Sequence, residues 1–255
     1  MYFDMHNHTD FSKDGTMSIE DLANFAHQIG IGVGVSEHFD YNIGRKPKLD
    51  AATYIETYEK YKSDQLLLGI EIGLTEIGHE LNSQTAKLEG FDYINGSVHT
   101  TNDVNIFEIH NQPNLDMRHF YESHFTFMLK MVQKNDFFHI LCHIDYIYRM
   151  YVGKWQKIDY YAFSDYYDAI FKTLIEKEIV LELNTVRFHE KEALSDLFVL
   201  YRRYQDLGGK YVTIGSDAHH VFELGRNVAI AFAVVEELNL IPVRFKDKKM
   251  IKGRI

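Results

Sequence analysis

Short apolar runs alternate with amphipathic segments along most of the chain. The runs begin near residues 2, 31, 65, 91, 137, 179 and 211, and each is about four to eight residues long. Continuous apolar runs of this length are typical of parallel strands that are covered on both faces. The segments that follow carry apolar residues at helical spacing. We therefore expect helices at about 19–29, 51–63, 79–89, 118–134, 163–177, 190–207 and 221–238.

Local signals mark the boundaries of these elements. Ser18 followed by Asp21 is close to a capping box, and Gly30 stands where the first helical repeat stops. The segment 100–117 is polar, rich in turn residues and longer than an ordinary connection. Such a segment suggests a functional loop over the mouth of a site.

The order strand, helix, strand, repeated without hairpins, predicts a parallel sheet. Consecutive strand ends lie 28 to 44 residues apart, at positions 6, 38, 71, 99, 143, 184 and 217, which is close to the length of a βαβ unit. A doubly wound open sheet fits the same order. Only a barrel brings all seven strand ends to one point, at its carboxyl-terminal face. We therefore predict an α/β barrel of seven units, formed as a single domain over residues 1–255.

Histidines and carboxylates cluster at the predicted strand ends. A lone His6-Asn7-His8 pair is weak evidence, although residues i and i+2 of a strand share a face. Six of the seven strands, however, end in a residue type that binds metals. The candidate ligands are His6, His8, Asp14, His38, Glu71, His99, His143, Asp217 and His219. Nine groups are too many for one ion, so we expect two or three divalent ions. Mixed imidazole and carboxylate groups favour zinc, manganese or iron.

Charge and cysteine content narrow the class of protein. The formal net charge is −10, which disfavours a general binder of nucleic acid. The single cysteine, Cys142, excludes an internal disulfide and fits the reducing cytoplasm. We find neither a secretory leader nor an apolar run of transmembrane length, so we expect no membrane partner.

Simpler interpretations apply to several polar residues. Asp14 can instead serve the Asp14-Gly15 turn, and Cys142 is expected to point away from the site into the core. His220 is expected at the surface or behind the site. The basic tail from Arg244 to Arg254 is expected to be a solvated end. The remaining histidines lie off the strand ends, and those near the polar loop, which can touch a substrate, are His110, His119 and His124.

The motifs together resemble those of the polymerase and histidinol phosphatase (PHP) superfamily. They are His6-Asn7-His8-Thr9 with Asp14-Gly15, Ser36-Glu37-His38, Gly69-Ile70-Glu71, Ser97-Val98-His99, Cys142-His143 and Ser216-Asp217-Ala218-His219. They span residues 6 to 219 in the order of the superfamily. His143-Ile144-Asp145 and Leu183-Asn184-Thr185 followed by Arg187 resemble its histidinol-phosphate phosphatase branch. Thr185-Val186-Arg187 is shorter than the usual pattern of that branch.

This resemblance implies a distorted (β/α)7 TIM-like barrel and a trinuclear metal centre. One ion would lie among His6, His8, Glu71 and Asp217, and a second among Glu71, His99 and His143. The third would lie among Asp14, His38 and His219. Arg187 and Arg149 are candidates to bind phosphate oxygens. Asp217 or His219 would orient the attacking hydroxide or move a proton.

The resemblance implies hydrolysis of L-histidinol phosphate, in histidine biosynthesis, and a metal-activated hydroxide would carry out the attack. One alternative keeps the chemistry and changes the substrate to a phosphotyrosine protein or a nucleotide. A second alternative is a metal-dependent amidohydrolase, but such enzymes typically place a lysine at a mid-barrel strand end, where this chain has Glu71 and His99. A third is a non-catalytic barrel, which the full set of ligand types disfavours.

Overall fold

A computed structural model describes residues 2–110, 114–149 and 157–253. Its strands are β1 (Phe3–Asp4), β2 (Gly32–Phe39), β3 (Leu66–Gly73), β4 (Tyr93–Ser97), β5 (Thr100–Thr101), β6 (Val104–Asn105), β7 (Ile140–Leu141), β8 (Val180–Asn184), β9 (Tyr211–Gly215), β10 (Ile241–Lys246) and β11 (Lys249–Lys252). Its α-helices are α1 (Ile19–Ile29), α2 (Ala51–Tyr58), α3 (His79–Ala86), α4 (Ile106–His110), α5 (Met117–Lys134), α6 (Ser164–Glu176), α7 (Lys191–Asp206) and α8 (Val228–Glu237).

Seven parallel strands form a closed barrel. They pair in the order β1, β2, β3, β4, β7, β8 and β9. The amide of Met5 then donates to the carbonyl of Ile214 over 2.8 Å, and that of Asp217 donates to the carbonyl of His6 over 2.8 Å. These bonds join the first strand to the last. The predicted seven-stranded α/β barrel is confirmed.

The barrel interior changes from apolar to polar along the strands. Side chains alternate across a strand, so every second residue points inward. In β3 the inward positions run from Leu67 to Glu71, and in β8 they run from Val180 to Glu182. The apolar layer also contains Phe3, Met5, Tyr93, Ile140 and Cys142. The carboxyl-terminal end therefore presents polar groups on an apolar floor.

Two glycines make room for the largest side chain inside the barrel. Tyr93 is fully buried, and its hydroxyl donates to the carbonyl of Val35 over 3.2 Å. A Cβ at Gly34 would lie 2.3 Å from the Tyr93 hydroxyl, and one at Gly69 would lie 2.4 Å from its Cζ. The tyrosine ring thus occupies the space that side chains on β2 and β3 would otherwise fill.

The helices cover the outer faces of the strands and follow the predicted positions closely. The Ser18 hydroxyl caps α1 by accepting from the amide of Asp21, and Gly30 ends that helix with φ of 74°. Two helices differ, because α4 lies within the segment expected to be a loop, and the last helix begins at Val228 rather than near 221. Gly225 donates its amide to Asp4, and the Arg226 guanidinium donates to the carbonyls of Ser216 and Asp217. These contacts hold the preceding segment against the barrel and prevent a longer helix.

Two hairpins depart from the expected all-parallel pattern. β5 and β6 pair antiparallel within the polar loop after β4. β10 pairs parallel with β9 and antiparallel with β11. The expectation of a solvated basic tail is wrong for its described part, because Val243 and Phe245 are buried and the Arg244 guanidinium lies 4.6 Å from the Phe3 ring centroid. Arg254 lies outside the described residues.

Among the described helices, none combines the length and the apolar character needed to cross a membrane.

Candidate metal centre

Glu71 lies at the middle of the histidines that the strand ends supply. Its Oε1 is 2.8 Å from Nε2 of His143 and 3.4 Å from Nε2 of both His6 and His99. Its Oε2 is 2.5 Å from Nδ1 of His38. The Ser97 hydroxyl donates to Oε1 over 2.5 Å. One carboxylate on β3 therefore faces imidazoles from four other segments of the barrel.

The first of the three groups that the resemblance predicts lies between β1 and the end of β9. Ligand atoms of His6, His8 and Glu71 lie within 4.8 Å of one another. Oδ1 of Asp217 is 3.4 Å from Nε2 of His8 and 3.7 Å from Nε2 of His6. All four side chains are buried. The structure therefore brings together the four residues that the resemblance assigns to one ion.

The second group shares Glu71 with the first. Glu71, His99 and His143 have ligand atoms within 4.8 Å of one another, and the two imidazole Nε2 atoms are 3.4 Å apart. Asp40 adds a carboxylate on the far side of His99, where its Oδ1 lies 3.0 Å from Nδ1. Glu71, His99 and His143 are the three residues that were expected to share an ion.

The third group is more open to solvent. Ligand atoms of His8, His38 and His219 lie within 4.8 Å of one another. Oδ2 of Asp14 is 3.6 Å from Nε2 of His38 and 3.9 Å from Nε2 of His219, and the Asp14 side chain is 61% exposed. Asp14 thus reaches the group from the surface, rather than serving only the turn before Gly15.

Two residues at the centre have a left-handed backbone. His143 has φ of 23° and Asp217 has φ of 53°. Such values cost energy for residues that carry a Cβ, and they concentrate at functional sites. Both residues follow the last strand residue closely, so the turn of the backbone aims their side chains across the barrel mouth.

Unsatisfied buried atoms test whether a metal fits here. Within the described residues, Nε2 of His6 and both ring nitrogens of His8 are buried without a hydrogen-bond partner. Burial acts to raise the pKa of Glu71, but the neighbouring His38, His6 and His99 hold it well below its ordinary value. Burial acts to lower the pKa of His6, but Glu182, Glu71 and Asp217 among its neighbours raise it well above its ordinary value. A site that stabilises both an anionic carboxylate and extra positive charge suits divalent cations.

The two candidate arginines lie in different surroundings. Arg149 is buried, its Nη1 donates to Oδ2 of Asp217 over 2.6 Å and its Nη2 donates to Oδ1 of Asn184 over 2.8 Å. It is therefore connected to the first group. Arg187 is also buried, and its Nη2 lies 3.3 Å from Oε2 of Glu190, three residues later. Contact of either arginine with phosphate stays a prediction.

Sequence reasoning missed the residues that support the ligands from behind. Glu182 hydrogen-bonds His6, Asp40 hydrogen-bonds His99 and Asn184 hydrogen-bonds Arg149. A single carboxylate inside the apolar run Ile179-Val180-Leu181-Glu182-Leu183 was the signal that could have found Glu182.

Cys142 corrects one expectation. It is buried as predicted, but it lies inside the barrel, with Sγ within 4.8 Å of ligand atoms of His6 and Glu182. Ile140 and Cys142 both face inward, as alternate residues of a strand do, and it is His143, with φ of 23°, whose backbone departs from the strand. Cys142 therefore packs beneath the metal groups and does not point away from them.

Among the described side chains, the other histidines lie outside these groups. His220 is exposed, as expected, and His124 is buried with its Nδ1 3.0 Å from the Thr101 hydroxyl. His119 lies on the exposed side of α5. The His110 side chain lies outside the described residues, as do residues 111–113 of the polar loop.

A cavity opens beside the second and third groups. Its volume is about 660 Å³, and His38, Asp40 and His99 form its inner wall. Phe11, Phe107 and Tyr146 supply aromatic surface, while Lys13, Arg45 and Lys48 are among the cations at its mouth. Asn105 and Phe107 of the polar loop line this cavity, and a functional role of the loop stays a prediction.

Comparison with known proteins identifies the family. A model of the PHP domain matches residues 4–186. The chain belongs to the PHP domain family. The predicted superfamily is thereby confirmed. The matched range contains the PHP motifs from His6 to His143, and the segment that carries Asp217 and His219 follows it.

Relatives of this PHP protein match over nearly its whole length. A "Probable histidinol-phosphatase" of Clostridium acetobutylicum is 36% identical over 98% of this chain and 99% of its own. A "Probable histidinol-phosphatase" of Thermotoga maritima is 28% identical over 99% of both. A solved structure shares the fold, with a TM-score of 0.87, 22% identity and coverage of 98% of this chain and 99% of the other. It is histidinol phosphate phosphatase from Lactococcus lactis in complex with zinc, L-histidinol and phosphate.

Proposed function

We propose that this PHP protein is a metal-dependent phosphomonoesterase that hydrolyses L-histidinol phosphate to L-histidinol and phosphate. The observation that carries the chemistry is the convergence of three histidine and carboxylate groups around Glu71. The substrate is supported by the 36% identity to the C. acetobutylicum relative across almost the full length of both chains. A centre of three divalent ions suits a phosphate ester, whose oxygens carry several negative charges.

The proposed ligands follow the three observed groups. His6, His8, Glu71 and Asp217 would hold one ion, and Glu71 with His99 and His143 would hold the next. Asp14, His38 and His219 would hold the third. When bound, such ions polarise phosphoryl oxygens and lower the pKa of a coordinated water toward neutrality. Zinc, manganese and iron all suit these ligands.

Asp217 is proposed to act as an ionised carboxylate throughout the reaction. Burial acts to raise its pKa, but His6 and Arg149 hold the pKa of Asp217 well below its ordinary value. Oδ2 accepts from Arg149, which leaves Oδ1 facing His6 and His8. This orientation fits a group that orients a water at the first group. Arg149, beside it, is placed to balance negative charge.

His219 is proposed as a ligand in preference to a proton donor. Its Nδ1 lies 3.0 Å from the carbonyl oxygen of Asp217, which can only accept a hydrogen bond. Nδ1 therefore carries the proton, and Nε2 presents its lone pair toward Asp14 and His38. The tautomer thus follows from the contact with the backbone.

The cavity beside the centre is the proposed place for the histidinol part of the substrate. Phe11, Phe107 and Tyr146 offer aromatic surface for an imidazole. Asp40 and Asp50 line the same cavity, and carboxylates of this kind can accept from a protonated amine. The volume of about 660 Å³ lies within the ordinary range for small-molecule sites.

Metal analysis and phosphate release together test the proposal. The purified protein should contain divalent metal, and it should release phosphate from histidinol phosphate faster than from a phosphotyrosine peptide or a nucleotide. We expect a preference in kcat/KM of at least about tenfold, which corresponds to roughly 1.4 kcal/mol. Equal activity on the three substrates would reject the assigned substrate, and absence of metal would reject the assigned chemistry.

A histidine variant tests the centre itself. His99→Ala should lose activity and bound metal, because His99 belongs to the second group. His79→Ala is the matched control, since His79 hydrogen-bonds Asn135 away from these groups. Normal activity with full metal content in His99→Ala would contradict the ligand assignment.

A cytoplasmic location is also proposed, because the single cysteine is buried and free. Cell fractionation tests this location, and recovery of the protein outside the cytoplasm would reject it.

A further inference from the structure

The buried carboxylate of Glu182 connects two metal-group histidines from behind. Its Oε1 lies 2.7 Å from Nδ1 of His6, and its Oε2 accepts from the amide of His143 over 2.8 Å. The side-chain amide of Asn184 donates to the same Oε2 over 3.1 Å. Glu182 is 1% exposed, so water does not replace these contacts. Each carboxylate oxygen therefore contacts a different histidine of the metal groups.

The contact with His6 fixes which ring nitrogen carries the proton. Oε2 of Glu182 already accepts from the amide of His143 and from the side chain of Asn184, and Oε1 lies 2.7 Å from Nδ1 of His6, where a carboxylate oxygen accepts. Nδ1 of His6 must therefore donate. Nε2 is left to present a lone pair toward Glu71 and Asp217, which lie 3.4 and 3.7 Å away.

The contact with His143 fixes a strained backbone. The φ of 23° at His143 is unfavourable for a residue with a side chain, and such a conformation persists only where surrounding contacts hold it. The hydrogen bond from its amide to Glu182 is such a contact. Without this hydrogen bond, we expect the backbone at His143 to relax and its imidazole to move away from Glu71.

Gly215 on β9 provides the space for this arrangement. A Cβ at that position would lie 2.2 Å from Oε1 of Glu182 and 2.7 Å from Cβ of His6. Any side chain there would push the two residues away from their present positions. The absence of a side chain at Gly215 is thus a second, independent sign that the Glu182–His6 contact is built into the barrel.

We propose that Glu182 is a positioning residue for the metal centre: it fixes the tautomer of His6 and the backbone of His143, and Gly215 is the clearance that it requires. The inference rests on the proposed metal-dependent function. Glu182 is buried behind the two histidines and does not line the cavity, so its effect passes through His6 and His143. Carboxylates behind ligating histidines typically contribute 10- to 100-fold to metal affinity.

The test measures metal release directly, separately from activity. Wild-type protein and Glu182→Gln are loaded with zinc, and transfer of zinc to a chromogenic chelator is followed with time. In the variant, the side-chain NH2 group takes the place of one carboxylate oxygen, and it cannot accept from His6, His143 or Asn184. We therefore expect zinc release to be about 10- to 100-fold faster. Cobalt-loaded protein should also show a changed visible absorption spectrum, because the ligand geometry differs.

Asp92→Asn is the matched control. Asp92 is likewise a fully buried carboxylate that accepts backbone hydrogen bonds, from Leu68 and Asp247, but it lies outside the metal groups. This variant should lose stability and keep the wild-type rate of zinc release. A variant that merely loosens the barrel would show the same release rate as this control.

Gly215→Ala provides a second variant that keeps every polar group. It should also release zinc faster, whereas Gly209→Ala, whose added Cβ would meet the Tyr204 ring, should not. Wild-type release rates in Glu182→Gln or in Gly215→Ala would overturn the inference. Failure of the wild-type protein to bind metal would instead reject the proposed function.

Discussion

The guanidinium of Arg149 donates to Oδ2 of Asp217 over 2.6 Å and to Oδ1 of Asn184 over 2.8 Å. Both terminal nitrogens of the guanidinium, Nη1 and Nη2, therefore donate to buried side chains at the carboxyl-terminal end of the barrel. Asp217 presents its other oxygen to His6 and His8. The arginine thus sets the orientation of a carboxylate that belongs to the first metal group.

Replacement of Arg149 should therefore damage both stability and activity. Arg149→Met leaves the buried Asp217 carboxylate without its partner, so the free energy of unfolding should fall by about 3 kcal/mol. The kcat/KM for histidinol phosphate should fall by about 100-fold or more. Arg149→Lys keeps the charge but not the fork, and it should recover only part of the loss. Phosphate release and urea unfolding measure the two effects.

Arg203→Lys is the control for this prediction. Arg203 also forks onto a carboxylate, that of Asp168, but it does so between α7 and α6. Its replacement should leave kcat/KM unchanged. If Arg149→Met retained wild-type kcat/KM, the proposed role of Arg149 in orienting Asp217 and balancing negative charge would be wrong.

Glu71→Gln should remove more than one metal ion at once. Glu71 faces His6, His38, His99 and His143, so its carboxylate serves two of the three groups and borders the third. An amide cannot supply the same negative charge to several cations. Metal analysis after dialysis should show a loss of about two ions per chain, with loss of activity. Loss of a single ion in Glu71→Gln would contradict the shared position of this residue.

Protonation of His139 should contribute to acid destabilisation. Burial and the nearby Lys248 lower the pKa of His139 from 6.5 to about 4, and its Nδ1 accepts from the amide of Ile94. Between these pH values the unfolded chain binds a proton that the folded chain does not, so the free energy of unfolding falls as the pH falls. The stability that depends on neutral His139 is fully present above pH 6.5 and is lost as the pH falls toward 4.

His139→Asn tests this pH dependence. Its side-chain oxygen can accept from Ile94 and does not titrate. Relative to this variant, the wild type should lose on the order of 2 kcal/mol between pH 6.5 and 4, allowing for partial exposure of the ring. Urea unfolding at several pH values measures the difference. Parallel curves for the two proteins would exclude the effect.

A methyl group at Gly69 should destabilise the barrel by overpacking. The added Cβ would lie 2.4 Å from Cζ of Tyr93, which is fully buried. We expect Gly69→Ala to lower the free energy of unfolding by about 1–3 kcal/mol. In a protein that also carries Tyr93→Leu, the same change should cost less, because the smaller side chain leaves space. Equal costs in the two backgrounds would show that the contact with Tyr93 is not the cause.

The parallel barrel and the candidate ligands follow from local features of the chain. Apolar runs with helical segments between them predict strands and helices, since each depends on a short-range period. The positions of Glu71 near the end of β3 and of His99 just after the end of β4 could be predicted in this way. The α1 cap at Ser18 is equally local. Errors arose where long-range contacts decide, as at α8, where Asp4 and Ser216 hold Gly225 and Arg226 in place.

The sequence by itself determined which residues stand at the strand ends. The resemblance to the PHP superfamily implied which of these residues would share each metal ion. Only the tertiary structure decided how those residues are held. Glu182 meets His6 across 176 positions of sequence, and Asp217 meets Arg149 across 68. No local period encodes such contacts, because they arise when strands close into a barrel and bring their inward faces together. The opening pair, His6 and His8, supplies ligand types, but the closed barrel supplies the geometry that makes them a site.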